Sequence, residues 1–70
     1  MLVAEFLGAS FTVEDDGTKV FHEISPVTVN VDLISGYYDH TIMTGGLKVR
    51  VMEDYDTIRR KIREAETWGR

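Results

Sequence analysis

The side chains best suited to bind a ligand are arginines and aromatic residues, and they lie in the C-terminal half of the chain. The set is Tyr37, Tyr38, Arg50, Arg59, Arg60, Arg63 and Trp68. Guanidinium groups bind phosphate through paired hydrogen bonds, and aromatic rings stack on flat ligands. We therefore interpret these residues as a candidate site for a small anionic, nucleotide-like ligand. A chain this small has little room for an internal pocket, so we expect the site to lie between subunits.

Groups that could perform catalysis are scarce in this chain. The absence of cysteine excludes thiol nucleophiles, disulfides and thiolate metal sites. His40 with Asp39 and Ser35, or His22 with Glu23, are ordinary neighbourhoods rather than a nucleophile elbow or a phosphate-binding loop. Two histidines are also too few for a histidine metal site, although a carboxylate could complete one. The sequence therefore predicts a non-enzymatic protein with no catalytic residue, no metal and no cofactor.

The charge of the chain limits the class of partner. A net charge of −4 argues against binding duplex nucleic acid, which depends on cationic side chains. Residues 1–39 hold seven acids and one base, whereas residues 40–70 hold seven bases and five acids. This asymmetry is compatible with an uneven solvated surface, with complementary packing between subunits, or with a basic pocket for an anion.

The length of the chain sets the expected assembly and location. Seventy residues predict one domain, 1–70, which buries only about 60% of its unfolded surface. Such a thin core usually needs additional stabilisation, and without disulfides homo-oligomerisation is the most plausible source. The N-terminus lacks the pattern of a signal peptide, and no window approaches the roughly 20 apolar residues of a membrane span. We expect a soluble, cytoplasmic protein with no membrane partner.

Several short patterns predict the elements that position these residues. Residues 2–7 alternate as a strand does, and Gly8 should end it or introduce a bulge. Two further alternating segments flank residues 14–17, where Gly17 is free to adopt positive φ, so a hairpin is predicted. Pro26 belongs at a sheet edge or just before a strand. Asn30 or Asp32 should cap a short turn, and residues 35–38 resume an extended path.

Gly45 and Gly46 predict a second hairpin with a two-residue turn. Its register places three pairs on one face, which should meet the core: Thr44 with Leu47, Ile42 with Val49, and His40 with Val51. The opposite face then carries Thr41, Met43, Lys48 and Arg50. That face is interpreted either as a plain solvated surface or as a surface for a partner or ligand.

The chain closes with an amphipathic helix. Asp54 is a suitable N-cap, and Gly69 is a stop signal. An apolar stripe is expected at Tyr55, Ile58, Ile62 and Ala65, with Arg59, Arg60, Lys61 and Arg63 on the outer face. The fold class is therefore predicted as α+β, a small antiparallel β-sheet of about five strands and two hairpins followed by one C-terminal amphipathic helix.

Three segments carry a resemblance to a known family. They are Val29-Asn30-Val31-Asp32-Leu33-Ile34, then Thr41 to Val51 around the paired glycines, then Glu53-Asp54 and the helix with Ile58 and Ile62. About half of the chain thus resembles the small flagellar and swarming motility protein family, which has short relatives in bacteriophages. Asp54 stands where that family often has serine. The resemblance implies the fold rather than the role.

The plan of a small sheet with one helix also resembles phage anti-defence proteins that sequester nucleotide signals. Combined with the basic and aromatic residues, this favours an oligomeric module that holds a small anionic ligand. Two alternatives remain open: a protein-binding regulator, as the motility-family likeness implies, and an accessory phage protein with no small ligand.

Overall fold

The computed structural model describes residues 2–68, with side chains through Thr67. Five strands are followed by one helix: β1 (Val3–Val13), β2 (Lys19–Asn30), β3 (Ile34–Tyr38), β4 (Thr41–Thr44), β5 (Leu47–Arg50) and α1 (Tyr55–Trp68). A 3-10 turn at Val31–Leu33 joins β2 to β3. All strand pairs are antiparallel. The predicted α+β class is confirmed.

Strands β1 and β2 form a long two-stranded ribbon, and the molecule measures 44 × 21 × 19 Å. The predicted hairpin turn is present, with Gly17 at φ +87° and the Thr18 N–H donating to Asp16 Oδ1 over 2.9 Å. Pro26 pairs with Leu7. Since no described strand pairs with the other side of β2, proline is tolerated there as expected of an edge strand.

A bulge interrupts the ribbon next to Gly8. The pairing runs from Gly8 with Ser25 to Ser10 with His22, so one residue of β1 faces two residues of β2. Glu23, in the bulge, has φ +54°. A bulge near Gly8 was one of the two predicted outcomes, but the extra residue is on β2, and β1 continues beyond the glycine.

Strands β3, β4 and β5 form a second sheet in that order. Gly45 and Gly46, at φ +57° and +80°, make the two-residue turn between β4 and β5. A third hairpin, which the sequence did not predict, joins β3 to β4 through Asp39 and His40, the latter at φ +60°. The Asn30 cap is confirmed by the Asp32 N–H, which donates to Asn30 Oδ1 over 3.0 Å.

The predicted register of the glycine hairpin is confirmed, but its two faces are less cleanly divided than expected. Thr44 pairs with Leu47, Ile42 pairs with Val49, and the Val51 N–H donates to His40 O over 3.0 Å. Leu47, expected in the core, is 70% exposed because it stands beside the turn. Thr41, expected on the face opposite the core, is only 5% exposed.

The two sheets join along one edge of β1. Gly8 forms an isolated bridge with Val51, and the Met52 N–H donates to Leu7 O over 2.8 Å. The Leu7 N–H in turn donates to both carboxylate oxygens of Glu53, at 3.1 and 3.0 Å. The two sheets therefore meet where β1 contacts the segment just after β5, and β2 and β3 are the outermost strands on either side of this join.

Helix α1 covers the face of the sheets that forms the core. Ile58 and Ile62 of the predicted stripe are buried, and Ala65 packs against them. The remaining core residues are Phe6, Val29, Val31, Ile42 and Val51. Tyr55, at the start of the stripe, is 44% exposed. The predicted N-cap is confirmed, since Asp54 Oδ1 accepts from the Thr57 N–H over 2.9 Å. The stop signal at Gly69 lies outside the described residues.

One cation expected on the outer face of the helix is turned inward. Lys61 Nζ donates to Glu53 Oε2 over 2.9 Å and to the carbonyl of Glu5 over 3.0 Å. The Glu53 side chain is 7% exposed and that of Lys61 is 33% exposed. This pair ties the helix to β1 and to the segment that joins the two sheets.

Candidate functional site

One face of the three-stranded sheet is directed away from the core. Tyr38 pairs with Thr41, and Thr41 with Arg50; in the next row, Gly36 pairs with Met43, and Met43 with Lys48. Because paired residues share a face and successive residues along a strand change face, these rows lie opposite the core-facing row of Tyr37, Ile42 and Val49. We name this surface the basic face, formed by Gly36, Tyr38, Thr41, Met43, Lys48 and Arg50.

The basic face combines positive charge with apolar contact area. Lys48 and Arg50 are exposed on β5, and no acidic residue belongs to either row. Tyr38 is 48% exposed on β3, and Met43 is 38% exposed between the strands. Two cations therefore line one side of the face and an aromatic ring lies on the other, in a chain whose net charge is −4.

A cluster of aromatic rings from the ribbon holds one end of this face. The Arg50 guanidinium lies 5.2 Å from the centre of the Phe11 ring, and Lys19 Nζ lies 5.6 Å from the same ring. Phe11 also packs against Phe21 at 5.6 Å and against His40 at 5.8 Å. These contacts limit the conformations of Arg50 and bring a third cation, Lys19, to the edge of the face.

The structure brings together only two of the residues expected in the ligand site, Tyr38 and Arg50. Tyr37 faces the other way and stacks on Tyr55, with ring centres 5.3 Å apart. Lys48 was predicted on this face but not assigned to the site. Sequence reasoning missed Lys19 and Phe11, because contact between the ribbon and β5 has no local signal in the sequence.

The arginines of the helix lie elsewhere. Arg59, Arg60 and Arg63 are exposed on α1, which packs on the core side of the sheets, so they lie on the opposite side of the molecule from Arg50. Arg60 Nε lies 3.8 Å from Glu64 Oε1, which is the predicted i, i+4 pair. The side chain of Trp68 lies outside the described residues. Within one chain, the six expected ligand-site residues with described side chains do not converge.

An open groove of about 330 Å³ runs between β1 and α1. It is lined by Val3, Ala4, Glu5, Lys61, Glu64 and Ala65. Two of these residues are acidic, and the one lysine is already bonded to Glu53, so the groove does not favour an anion. Of the residues expected in the ligand site, none of the six whose side chains are described lines it.

No group of three or more metal-ligating side chains occurs among residues 2–68. In the same range, no helix has the length and apolarity needed to cross a membrane.

Comparisons of the chain with protein-family models, with curated proteins and with solved structures returned no match. The basic face is therefore assessed by its own geometry, and the resemblance to the motility family stays a prediction.

Proposed function

We propose that this protein is a non-enzymatic binding module whose copies associate and hold a small anionic, nucleotide-like ligand on the basic face. The observation that carries the proposal is that Lys48, Arg50 and the exposed ring of Tyr38 share one sheet face, in rows without acidic residues. The chain as a whole is acidic, but these two rows contain no acidic residue, so the basic face does not repel an anion.

The arrangement supports holding a ligand rather than transforming it. Arg50 and Lys48 provide donors for phosphate oxygens, and Tyr38 provides a ring on which a flat base stacks. Neither row of the basic face contains a carboxylate, thiol or imidazole that would serve as a general base. Retention without turnover is what sequestering a nucleotide signal requires, and this is the role that the plan shared with phage anti-defence proteins implies.

The decisive experiment is native mass spectrometry of freshly purified protein, followed by denaturing analysis of the released material. We expect a defined oligomer that carries added mass of nucleotide size. Isothermal titration of stripped protein with a mononucleotide, a cyclic dinucleotide and inorganic phosphate then identifies the ligand class. Phosphate alone should bind more weakly, because it leaves Tyr38 unused.

Single substitutions show whether the ligand is bound by the basic face or by the cations elsewhere on the chain. Arg50→Ala and Lys48→Ala should each abolish retention and leave the oligomer intact, whereas Arg63→Ala on the opposite side of the molecule should retain the ligand. Arg50→Lys preserves the charge but loses the paired geometry of the guanidinium, so retention should weaken without vanishing. Retention that survives both alanine variants, or recovery of a specific host protein in place of a small ligand, would contradict the proposal.

A further inference from the structure

The two outermost strands differ in how well their free edges are protected. Natural sheets protect exposed edges with proline, charged residues or bulges. Strand β2 has all three: Pro26, the charged residues Lys19 and Glu23, and the bulge at Glu23. Strand β3, Ile34–Tyr38, has neither proline nor a charged residue, and its register shift is confined to its start, between Ile34 and Gly36. The edge at residues 36–38 is therefore regular and unprotected.

The backbone of Tyr37 faces this free edge. Two-residue turns place hydrogen-bonded pairs next to the turn, so Tyr38 and Thr41 bond to each other, and Gly36 and Met43 do the same two residues away. Tyr37, between them, has its N–H and its carbonyl directed away from β4. An antiparallel strand centred on Tyr37 would accept one hydrogen bond from the Tyr37 N–H and donate one to the Tyr37 carbonyl.

Gly36 and Tyr38 flank Tyr37, and the first has no side chain where the second has a large ring. Gly36 does not have positive φ, and a Cβ added there would meet no atom within 4 Å, so neither backbone conformation nor packing within the chain requires glycine. Glycine within a strand often marks close approach by another group. When two copies of β3 pair about Tyr37, Tyr38 of the partner subunit faces Gly36, and an aromatic ring across from an edge glycine is a known stabilising pair in sheets.

The opposite face at the same edge is only partly covered by the described residues. Tyr37 is half-buried and stacks on Tyr55, which remains 44% exposed at the start of α1. The same symmetric pairing places Tyr37 directly across from Tyr37 of the partner subunit. The two tyrosine pairs would then pack together, and this explains why Tyr55 of the apolar stripe is left exposed in the single chain.

We propose that two copies of the chain pair antiparallel through β3 about a two-fold axis at Tyr37, forming one continuous sheet. Tyr38 of each copy covers Gly36 of the other, and Ser35 faces Asp39 of the partner subunit, so no like charges meet. This inference rests on the self-association included in the proposed function and names its interface. It also joins the two basic faces, with both Tyr38 rings central and the Lys48 and Arg50 cations on either flank.

Two variants test this interface. Gly36→Val should preserve or improve the stability of the single chain, because the space is free and valine favours strands. It should nevertheless raise the dissociation constant of the dimer by at least about tenfold, since it blocks Tyr38 of the partner subunit. Thr28→Val, on the exposed face of β2, is the matched control and should leave the dimer unchanged. Analytical ultracentrifugation measures the dissociation constant of the dimer, and urea unfolding measures the stability of the chain.

A cross-link provides an independent readout because the chain has no cysteine. Directly paired residues about Tyr37 have Cα atoms about 5.5 Å apart, within the disulfide range of about 4.4–6.8 Å. Oxidised Tyr37→Cys should therefore give a covalent dimer, whereas Lys48→Cys should not. A dimer that survives Gly36→Val and gives no Tyr37→Cys cross-link overturns the interface and leaves self-association standing. A wild-type monomer overturns both.

Discussion

Replacing Glu53 tests how the two sheets are held together. Its carboxylate accepts from the Leu7 N–H with both oxygens, at 3.1 and 3.0 Å, and from Lys61 Nζ at 2.9 Å, with a side chain only 7% exposed. Glu53→Ala leaves the Leu7 N–H without its acceptor. Lys61 keeps its bond to the Glu5 carbonyl and its access to water, so its ammonium group loses less stabilisation than the Leu7 N–H does.

The magnitude follows from these contacts. An N–H that loses a charged acceptor in a partly buried position costs about 1–3 kcal/mol, and the partly buried ion pair adds roughly 0.5–1 kcal/mol. We expect Glu53→Ala to lower the free energy of unfolding by about 2–3 kcal/mol. A domain of this size has roughly 4–10 kcal/mol in total, so the melting temperature should fall by about 10 °C or more.

Urea unfolding followed by circular dichroism measures the loss. Glu53→Gln is the control, because its amide oxygen still accepts from the Leu7 N–H while its charge is gone, and we expect a loss of about 1 kcal/mol. A double-mutant cycle with Lys61→Met isolates the ion pair. If Glu53→Ala costs less than about 0.5 kcal/mol, or if the Gln and Ala variants are equally unstable, the backbone acceptor is not what stabilises the join.

Two further predictions concern local features. Glu23 has φ +54°, a conformation that costs a non-glycine residue about 1–2 kcal/mol, so Glu23→Gly should raise the free energy of unfolding by about 0.5–1 kcal/mol in urea titrations, whereas Glu23→Ala should give no gain. The pKa of Asp54 is lowered by its hydrogen bonds from Thr57 at the helix start. The stability that ionised Asp54 contributes to the fold is therefore fully present above the ordinary aspartate pKa. It is lost as the pH falls through the lower pKa of the folded state. Asp54→Asn should make the free energy of unfolding depend less on pH in the range between these two pKa values. An unchanged slope there would contradict this role of Asp54.

Features set by neighbouring residues were predictable from the sequence. The paired glycines fixed the turn and register of β4 and β5, and Asp54 fixed the start of the helix, because positive φ and capping depend on a few adjacent residues. The hairpin through Asp39 and His40 was missed because His40 at φ +60° lacks the glycine that usually signals such a turn.

Features set by distant contacts were not predictable. Lys61 was assigned to the solvated side of the helix by periodicity, yet it bonds to Glu53 and to a carbonyl 56 residues away. Arg50 could be assigned to a basic face from its hairpin, but its position over Phe11 depends on how the ribbon meets β5. Periodicity assigns a residue to a face; it does not show what another element brings to that face.

The join at Leu7 also governs the order in which the chain acquires its structure during synthesis. The ribbon is complete once Asn30 has left the ribosome, but the edge of β1 at Leu7 is covered only by Met52 and Glu53, the latter 46 residues further along. Until then the nascent hairpin exposes unpaired amide groups beside Phe6, which is fully buried only in the finished fold. The acidic turn at residues 14–16 gives this intermediate a net negative charge that opposes aggregation on the ribosome.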